Sequence, residues 1–485
     1  MFNTDLNDFS SIQLDKNAAV PLYAQLYDEL CRMVRAHQLA PGRRLPPVRT
    51  LAAHLSINPG TVVSAYRELE QNNYIFTRRG SGSYIAARLP ATPDEREEMK
   101  SALPLDLIDD VLPTENAQRM INMSSISLDP GMISIDTFKK AINCVLERDG
   151  GYAFSYQESQ GFYPLRESIA GELAGKKIYA SPRNVQIISG AQQGIDIAAR
   201  ALLQRGDTVF MEKPTYPGAV AAFRACGAKI VDIDLAKEGI DLAELEIKLK
   251  QFHPRLIYVM PNIQNPTGIS YSRSTCRRLM GLARYYDACV IEDDYISSLH
   301  YGKATPIPIK AYDSDDRVIY IRSLSKLFMP GLRLAYMVTP AKLYQQMLNV
   351  KNISDIATSG LTQRVFDYYL RTGLWHSHLA SVTAACRTRF DFAVKTAKKC
   401  LPPDIVWQKP SGGLSLWLEL PPRLKIAPLA AAAKNRGILL CDGTPFFLRR
   451  PAADFIRLSF ASLTPAQIQS SLQILSELTK SNAHI

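Results

Sequence analysis

A lysine, two serines and an arginine stand close together in the segment Arg322–Arg333, and side chains of these types can hold and react with a small anionic ligand. The polar members are Ser323, Ser325, Lys326 and Arg333. A largely apolar run precedes them, and a proline and a glycine follow the lysine, which predicts a strand that ends in a tight turn. A strand end can hold a side chain rigidly over a cavity. By itself, the segment is equally compatible with a solvated surface turn.

Three further segments show an apolar run that ends in small or polar residues. The first leads into a small-residue turn with Ala191 and Gln192 and then into an amphipathic helix, whose N-terminal N–H groups suit a phosphate. The second ends at Asn265, and the third ends at Asp293 and Tyr295. Ligands of open α/β sheets bind beyond the carboxyl ends of the strands. We therefore expect these residues to meet the lysine at one edge of a sheet.

Pyridoxal phosphate is the ligand that requires all of these groups together. Its aldehyde forms a Schiff base with a lysine amine. Its pyridinium nitrogen binds a carboxylate, and its phosphate binds hydroxyls, N–H groups and an arginine. The residue types at the four strand ends therefore predict pyridoxal 5'-phosphate as the cofactor.

The composition indicates a globular protein with more than one domain. The chain has 485 residues, of which 46% are hydrophobic and 21% charged, and this length exceeds what one hydrophobic core supports. The first twenty residues show no signal peptide, and no apolar stretch reaches the length of a membrane span. The eight cysteines form no C-x-x-C pair, so we expect no disulfide framework, no metal site and a cytoplasmic location.

The N-terminal part has the pattern of a DNA-binding domain. Helical spacing runs from Pro21 to His37, from Pro47 to Leu55 and from Pro59 to about Gln71, and a hairpin with a basic, glycine-bearing tip follows. Asn58 is a suitable N-cap for the third helix. Residues 43–88 contain seven basic residues and two acidic ones, and the net charge of the chain is +11. This predicts a winged helix-turn-helix that binds duplex DNA, although small helical domains with surface arginines are common.

Two changes in composition predict the domain boundaries. Residues 92–115 contain eight acidic residues and two basic ones together with three prolines, which is typical of a solvated linker. After Ile121, strand and helix patterns alternate, which indicates an α/β domain with a largely parallel sheet. We predict a DNA-binding domain at 1–88, a linker at 89–118 and a ligand-binding domain at 119–485.

The N-terminal residues resemble a known family of regulators. The residues that carry the resemblance are Pro41-Gly42, Leu45-Pro46-Pro47, Arg49, Leu51-Ala52, Thr61-Val62, Ala65-Tyr66, Leu69 and Gly80-Ser81-Gly82-Ser83-Tyr84-Ile85. Over about residues 20–86 the pattern is similar to the GntR-type DNA-binding domain. From the basic residues and this resemblance we expect DNA contacts from Arg43, Arg44, Arg49, Asn58, Gly60, Thr61, Arg78, Arg79, Gly80 and Gly82. Pro59-Gly60 and Asn72-Asn73 depart from the family pattern, so the operator sequence stays open.

The order of the strand-end motifs resembles the fold-type I aminotransferases. With the winged helix in front, nearly the whole chain resembles the MocR-type subfamily of GntR regulators. The resemblance implies that Lys326 forms the Schiff base and that Asp293 binds the ring nitrogen. It also implies that Tyr295 and Asn265 face the ring hydroxyl and that Tyr216 stacks on the ring.

The same resemblance implies how the phosphate, a partner subunit and a ligand carboxylate are bound. The phosphate would be held by Ser323, Ser325, Arg333 and the backbone amides of Ala191 and Gln192. Tyr156 would reach the phosphate of a neighbouring subunit, so a homodimer is implied. Arg457 would grip a substrate carboxylate, and arginine suits this role because it can bind a carboxylate through two parallel hydrogen bonds. Ser323-Leu324 and residues 296–298 depart from the family pattern, which can alter the ligand.

These observations favour a pyridoxal phosphate-dependent transcription regulator that senses an amine, an amino acid or a vitamin B6-related compound. An alternative is an active aminotransferase that carries an accessory DNA-binding domain. A third is a DNA-binding scaffold with an empty pocket. A regulator changes its DNA affinity with the ligand, an enzyme turns over with an oxo-acid acceptor, and a scaffold binds no cofactor.

Overall fold

The computed structural model shows two compact units, 1–101 and 102–485. It describes residues 6–16, 18, 20–35, 38–40, 42–72, 74–78, 81–86, 120–302 and 306–481. The domain boundaries predicted at 1–88, 89–118 and 119–485 stay predictions, and the predicted linker lies outside the described residues.

The N-terminal unit consists of three helices followed by a hairpin. These elements are α1 (Leu22–Arg35), α2 (Val48–His54), α3 (Pro59–Gln71), β1 (Ile75–Arg78) and β2 (Gly82–Ile85). The helices pack through one apolar cluster that includes Leu26, Leu51 and Val62. The chain just before α2 pairs with β2 through backbone hydrogen bonds, from Leu45 to Ser83 and from Ile85 to Arg43, each 2.9 Å long. The predicted winged helix-turn-helix is confirmed.

The C-terminal unit alternates strands and helices, as predicted. Its strands are β3 (Ile121–Asn122), β4 (Val185–Ile188), β5 (Thr208–Lys213), β6 (Lys229–Ala236), β7 (Gly239–Ile240), β8 (Leu256–Val259), β9 (Cys289–Asp294), β10 (Val318–Ser323), β11 (Ala335–Val338), β12 (Val406–Trp407), β13 (Ser415–Glu419), β14 (Ile438–Leu439), β15 (Cys441–Asp442) and β16 (Phe455–Ser459). Its helices are α4 (Ile135–Asp149), α5 (Tyr163–Gly175), α6 (Ala191–Leu202), α7 (Pro217–Ala225), α8 (Leu242–Phe252), α9 (Arg273–Tyr285), α10 (Tyr344–Asp355), α11 (Gly360–Arg371), α12 (Leu374–Cys400), α13 (Ile426–Asn435) and α14 (Pro465–Ser481).

Eight strands form the main sheet in the order β4-β11-β10-β9-β8-β5-β6-β7. The neighbours from β10 to β6 pair in parallel, and β11 runs antiparallel to both β10 and β4. Strand β4 therefore points the same way as β10, and the carboxyl ends of β4, β5, β8, β9 and β10 lie at one edge. The four strand-end motifs are thus brought to a common edge of the sheet.

Apolar clusters on the sheet explain why its central strands are buried throughout. One cluster joins Ile195, Ala198 and Leu202 of α6 to Ile188 and Ile321 on the strands. Another packs α8 and α9 against strands β5, β8 and β9. Because both faces are covered by helices, these strands are continuous apolar runs rather than alternating ones.

A second, smaller sheet of four strands has the order β12-β13-β16-β15. All three pairings in it are antiparallel, and α12, α13 and α14 contribute to the apolar cluster at its face. Strand β3 pairs in parallel with β14, and these two strands form a separate small sheet. Within the residues that the structure describes, no helix is both long and apolar enough to cross a membrane.

Candidate functional site

Lys326 lies in the tight turn that follows β10. Its neighbours fix this turn: Leu327 and Phe328 are buried, and their N–H groups both donate to the carbonyl of Leu324, at 3.0 and 2.8 Å. The Phe328 ring packs against the ring of Trp375 and other aromatic rings of α11 and α12. Lys326 itself is half-buried. The buried residues on its C-terminal side thus anchor the lysine rigidly at the carboxyl edge of the sheet.

The predicted phosphate residues meet beside this lysine. Arg333 donates from Nη1 to Ser325 Oγ at 3.3 Å and from Nη2 to the Ser189 carbonyl at 3.4 Å. The Ser325 N–H donates to Ser323 Oγ at 3.3 Å. Gly190 precedes α6 with φ +108°, and a Cβ atom there would collide with the Arg333 guanidinium. The expected phosphate site thus brings together the hydroxyls of Ser323 and Ser325 and the guanidinium of Arg333. The first turn of α6, which holds Ala191 and Gln192, borders the same site.

Asp293 lies buried near the end of β9, with only 3% of its surface exposed. Its Oδ2 accepts a hydrogen bond from Tyr258 Oη at 2.7 Å. Among the residues that the structure describes, no donor reaches its Oδ1, which is also buried. Burial raises the pKa of Asp293 to about 7, the Tyr258 bond opposes this rise, and Asp294 adds to it. A buried carboxylate oxygen that lacks a donor fits the protonated ring nitrogen of pyridoxal phosphate.

Arg457 on β16 reaches across to the main sheet. Its Nη1 donates to Asn265 Oδ1 at 3.1 Å, its Nη2 donates to the Ser124 carbonyl at 2.9 Å, and its guanidinium lies 5.0 Å from the centre of the Phe446 ring. Burial raises the pKa of Tyr295. The positive charge of Arg457 opposes this rise, and the negative charge of Asp293 adds to it. Arg457 thus binds Asn265 directly, and the charges of Arg457 and Asp293 both act on the Tyr295 phenol.

The two remaining tyrosines lie in different surroundings. Tyr216 immediately precedes α7 and is half-buried, and a Cβ atom on Gly218 would meet its ring at 2.6 Å. Tyr156 is 91% exposed and lies on the surface of the C-terminal unit. Stacking by Tyr216 and the reach of Tyr156 into a neighbouring subunit stay predictions.

Sequence reasoning missed two buried polar groups of the site. Tyr258 is one, because it stands in an apolar run and its phenol shows its role only through the bond to Asp293. The other is the buried ion pair between Asp294 and Arg322. Arg322 also donates to Ser297 Oγ at 2.8 Å and to Ser298 Oγ at 2.6 Å. Burial acts to raise the pKa of Asp294, but Arg322 and Lys176 outweigh it and hold that pKa well below its usual value. The two adjacent aspartates thus have opposite surroundings.

The serines that depart from the family pattern belong to this second group. Ser297 and Ser298 accept hydrogen bonds from Arg322, and Ser297 also donates from Oγ to Asp294 Oδ2 at 2.8 Å. They therefore satisfy a buried arginine next to the site. They lie three and four residues after Asp294, the acidic end of β9, and the signal in the sequence was their departure from the family pattern at that place.

The N-terminal unit presents some of the predicted DNA contacts at its surface. Arg49 on α2 and Gly60 on α3 are exposed, and Thr61 is half-buried. The Asn58 side chain caps α3 by accepting from the Gly60 N–H at 2.7 Å. Asn58 is thus occupied in helix capping through its Oδ1.

Other predicted DNA contacts are paired within the unit or lie beyond the described residues. Arg43 forms an ion pair with Asp8, and the half-buried Arg44 side chain lies where a Cβ atom on Gly82 would meet its Nε at 2.9 Å. Arg79, Gly80 and the side chain of Arg78 lie outside the described part of the chain.

The raised pKa of Asp293 predicts a pH dependence of stability in the protein without its cofactor. The native carboxyl holds its proton up to about pH 7, whereas the unfolded one loses it near pH 3.8. Between these values the unfolded state binds fewer protons, so the group removes stability as pH rises. We expect the free energy of unfolding of the wild type, relative to Asp293→Asn, to fall by about 1.4 kcal/mol per pH unit. Denaturant unfolding of both apoproteins from pH 4 to 8 measures this, and a difference that does not vary with pH contradicts it.

Comparison with known proteins identifies both units. Residues 121–475 match the family model of class I and II aminotransferases, and residues 22–85 match that of the gntR family of bacterial regulatory proteins. The uncharacterized HTH-type transcriptional regulator YdfD of Bacillus subtilis is 26% identical, over 96% of this chain and 98% of its own. The probable rhizopine catabolism regulatory protein MocR of Rhizobium meliloti is 27% identical, over 95% of this chain and 94% of its own.

A solved aminotransferase shares the fold of the C-terminal unit. LysN, the α-aminoadipate aminotransferase of Thermus thermophilus, was crystallised with N-(5'-phosphopyridoxyl)-L-leucine. It is 27% identical with a TM-score of 0.74, over 79% of this chain and 97% of its own. Pyridoxal 5'-phosphate is thus the cofactor of this fold, as predicted, and the buried oxygen of Asp293 fits it. The chain belongs to the class I and II aminotransferase family and, with a gntR-type helix-turn-helix ahead of that domain, has the arrangement of the MocR-type regulators.

Proposed function

We propose that the protein is a transcription regulator whose affinity for DNA depends on the small molecule bound at its pyridoxal phosphate site. One observation carries the proposal: a single chain combines a gntR-type helix-turn-helix at 22–85 with an aminotransferase domain at 121–475. Full-length relatives named as transcriptional regulators support it. We place the DNA-binding domain at 1–88, the linker at 89–118 and the ligand domain at 119–485, and the protein in the cytoplasm, where its DNA lies.

The cofactor would be held by the residues gathered at the edge of the main sheet. Lys326 supplies the amine that binds it covalently, and Asp293 supplies the carboxylate for the ring nitrogen. Asn265 and Tyr295 face the ring hydroxyl, and Tyr216 stacks on the ring. The phosphate lies against Ser323, Ser325, Arg333 and the amides of Ala191 and Gln192. When bound, the cofactor supplies a reactive carbonyl for amines.

A homodimer would complete the site through Tyr156. The surface around it is rich in exposed aromatic side chains: Tyr152, Phe154 and Tyr156 are 77%, 69% and 91% exposed. Exposed apolar clusters of this kind are typical of interfaces. Tyr156 of each subunit then reaches the phosphate of the other, and the two N-terminal units bind two half-sites on duplex DNA.

Linkage gives the physical basis for sensing. A ligand shifts an equilibrium between two arrangements of a protein only by its difference in affinity for them. An amine that would replace Lys326 on the bound cofactor and release the lysine amine, or a carboxylate that binds Arg457, stabilises one arrangement of the dimer. The DNA affinity changes by the same coupling free energy. We propose an amino acid, an amine or a B6 vitamer as this effector, meaning the ligand that changes DNA affinity.

An active aminotransferase is the second candidate. The similarity of the C-terminal unit to a solved aminotransferase favours it, because the residues expected to bind the cofactor occupy one edge of the same fold. This enzyme would show sustained transamination with an oxo-acid acceptor. The regulator would show slow or no turnover and a ligand-dependent affinity for DNA.

We expect Arg49→Ala to weaken operator binding by about 10- to 100-fold, because an exposed arginine on α2 loses its phosphate or base contact. The slope of log affinity against log salt should become shallower, since fewer counterions are released. Fluorescence anisotropy with genomic fragments across a salt series measures both. Arg32→Ala is the matched control, because it removes the same charge from an exposed position on α1. Equal affinities for the wild type and Arg49→Ala would contradict this DNA-contact surface.

A further inference from the structure

Glu212 is a fully buried carboxylate that none of the roles proposed above uses. It is the last residue but one of β5 and has no exposed surface. Its Oε1 accepts from Tyr271 Oη at 2.6 Å and from the Met260 N–H at 3.1 Å. Its Oε2 accepts from Gln264 Nε2 at 3.2 Å. Burying a carboxyl group is costly unless such bonds satisfy it, so these three contacts define its surroundings.

The bond to Gln264 determines which way that amide points. Gln264 Nε2 also donates to the Pro214 carbonyl at 2.7 Å. On its other side, Gln264 Oε1 accepts from the Thr267 N–H at 3.0 Å and from Thr267 Oγ1 at 2.7 Å. Every polar atom of the amide is therefore used. Rotating it by 180° would place donors against donors and acceptors against acceptors.

The turn that Gln264 stabilises carries Asn265. The Gln264 N–H donates to the Ile269 carbonyl at 2.8 Å, and the Gly268 N–H donates to the Gln264 carbonyl at 2.6 Å. Asn265 follows directly in the chain, and its Oδ1 accepts from Arg457 Nη1 at 3.1 Å. A continuous series of hydrogen bonds and one peptide unit thus links Glu212 to the guanidinium of Arg457.

Electrostatics connects Glu212 to the cofactor carboxylate as well. Burial raises the pKa of Glu212 to about 7, the bonds from Tyr271, Gln264 and Met260 oppose this rise, and Asp293 adds to it. Burial raises the pKa of Tyr258, whose hydroxyl binds Asp293, and the negative charges of Asp293 and Glu212 raise it further. The charge of Glu212 is thus coupled to the Asp293 end of the proposed ligand site, in addition to its hydrogen-bond link to Arg457.

We propose that Glu212 is a positioning residue for ligand recognition: through Gln264 it fixes the turn of Asn265 and thereby the direction of Arg457. The inference rests on the proposed function, in which Arg457 binds the carboxylate of an amino-acid effector. Glu212 itself touches neither cofactor nor effector in this role. It acts by restricting the position of Asn265 and, through the hydrogen bond between them, the Arg457 side chain that binds the carboxylate.

Glu292 offers a matched comparison for the test. It is also fully buried, on the strand β9, and burial raises its pKa to about 8. Its two oxygens accept from the N–H groups of Ile309 and Lys310 at 2.9 and 2.8 Å. These partners belong to a turn on another part of the chain. A loss that arises only from disturbing a buried carboxylate should appear in Glu292→Gln as strongly as in Glu212→Gln.

The experiment compares holoproteins of the wild type, Glu212→Gln and Glu292→Gln. Each standard L-amino acid and its decarboxylated amine are titrated while the visible absorption of the bound cofactor is recorded, which gives the affinity ratio of the two ligands. In Glu212→Gln the new amide places a donor against Gln264 Nε2, whereas the bonds from Tyr271 and Met260 can persist. We expect the preference for the carboxylate to fall by about tenfold, with cofactor content retained. Glu292→Gln should keep the wild-type preference.

The outcomes separate the inference from the function on which it rests. A wild-type preference that Glu212→Gln retains in full, or loses no more than Glu292→Gln does, overturns the inference alone. A wild type without any preference for the carboxylate overturns the role of Arg457 and the inference together. If Glu212→Gln does not fold, Thr267→Val removes the bond from Thr267 Oγ1 to Gln264 Oε1 and the longer bond that the Ile269 N–H donates to the same hydroxyl. A loss of the preference for the carboxylate in Thr267→Val, smaller than the tenfold loss expected of Glu212→Gln, supports the inference. An unchanged preference overturns it.

Discussion

Lys326→Ala is expected to abolish the covalent bond between protein and cofactor. The purified wild type should show visible absorption from the lysine-bound cofactor, and borohydride should trap the adduct on the peptide that contains residue 326. The variant should lack both signals, because no other amine is held in the same turn after β10. Its fold should persist, since the buried neighbours Leu327 and Phe328 stay in place. Binding without the covalent bond should remain, because the phosphate contacts of Arg333 and Ser325 are untouched.

Lys213→Ala is the control for this substitution. Lys213 ends β5 at the same edge of the sheet, but its amine forms an ion pair with Asp234 at 3.0 Å and is partly exposed. We expect its substitution to leave the trapped adduct unchanged. Mass spectrometry of the reduced, digested proteins locates the adduct. An adduct on any other lysine of the wild type would show that the cofactor assignment to Lys326 is wrong.

Arg457→Lys is expected to weaken the binding of an amino-acid effector by roughly 10- to 100-fold. Arg457 is buried on β16. Its Nη1 donates to Asn265 Oδ1, and its Nη2 donates to the Ser124 carbonyl. A lysine ammonium cannot reproduce this planar two-point geometry. Loss of a hydrogen bond to a charged group corresponds to about 1.5–3 kcal/mol. Cofactor content should change little, because the phosphate is assigned to other residues.

Amino-acid titration of the visible spectrum measures the effect of Arg457→Lys. Arg389→Lys is a suitable control, since Arg389 is also largely buried and donates to the Ala461 carbonyl at 2.7 Å and to Asp129 at 2.8 Å. Its substitution should reduce stability but leave the ligand response intact. An unchanged response in Arg457→Lys would mean that the effector has no carboxylate at this site. A B6 vitamer would then be the better candidate.

The sequence predicted the parts of the fold and site that depend on local pattern. The third helix was expected from Pro59 to about Gln71 and spans Pro59–Gln71, because Asn58 and Pro59 mark its start. The first helix was expected from Pro21 to His37, and the structure describes it over Leu22–Arg35, while residues 36 and 37 lie outside the described residues. The motifs with Asp293 and Lys326 lie at strand ends of one sheet edge, as the apolar runs before them indicated.

Contacts between distant segments could not be read from the sequence. Tyr258 and Glu212 stand in apolar strand runs, where a tyrosine or a glutamate next to a strand end has many possible environments. Their roles depend on which strands become neighbours: β8 beside β9 brings Tyr258 to Asp293, and β5 beside β8 brings Glu212 to Met260. Arg457 was expected to face an anion, and the structure adds two neutral acceptors, Asn265 and the Ser124 carbonyl.

The affinity of the holoprotein for its operator, with and without effector, tests the central claim most directly. Operator fragments are first selected from genomic DNA with the holoprotein, and their affinity is then measured with amino acids, amines or excess pyridoxal phosphate. We predict that one of these ligands shifts the wild-type affinity by at least fivefold, a coupling of about 1 kcal/mol. For an amine or amino acid, Lys326→Ala should abolish the shift while binding DNA without effector as the wild type does. Operator affinity that no such ligand changes, together with sustained transamination, would contradict the regulator and establish the enzyme.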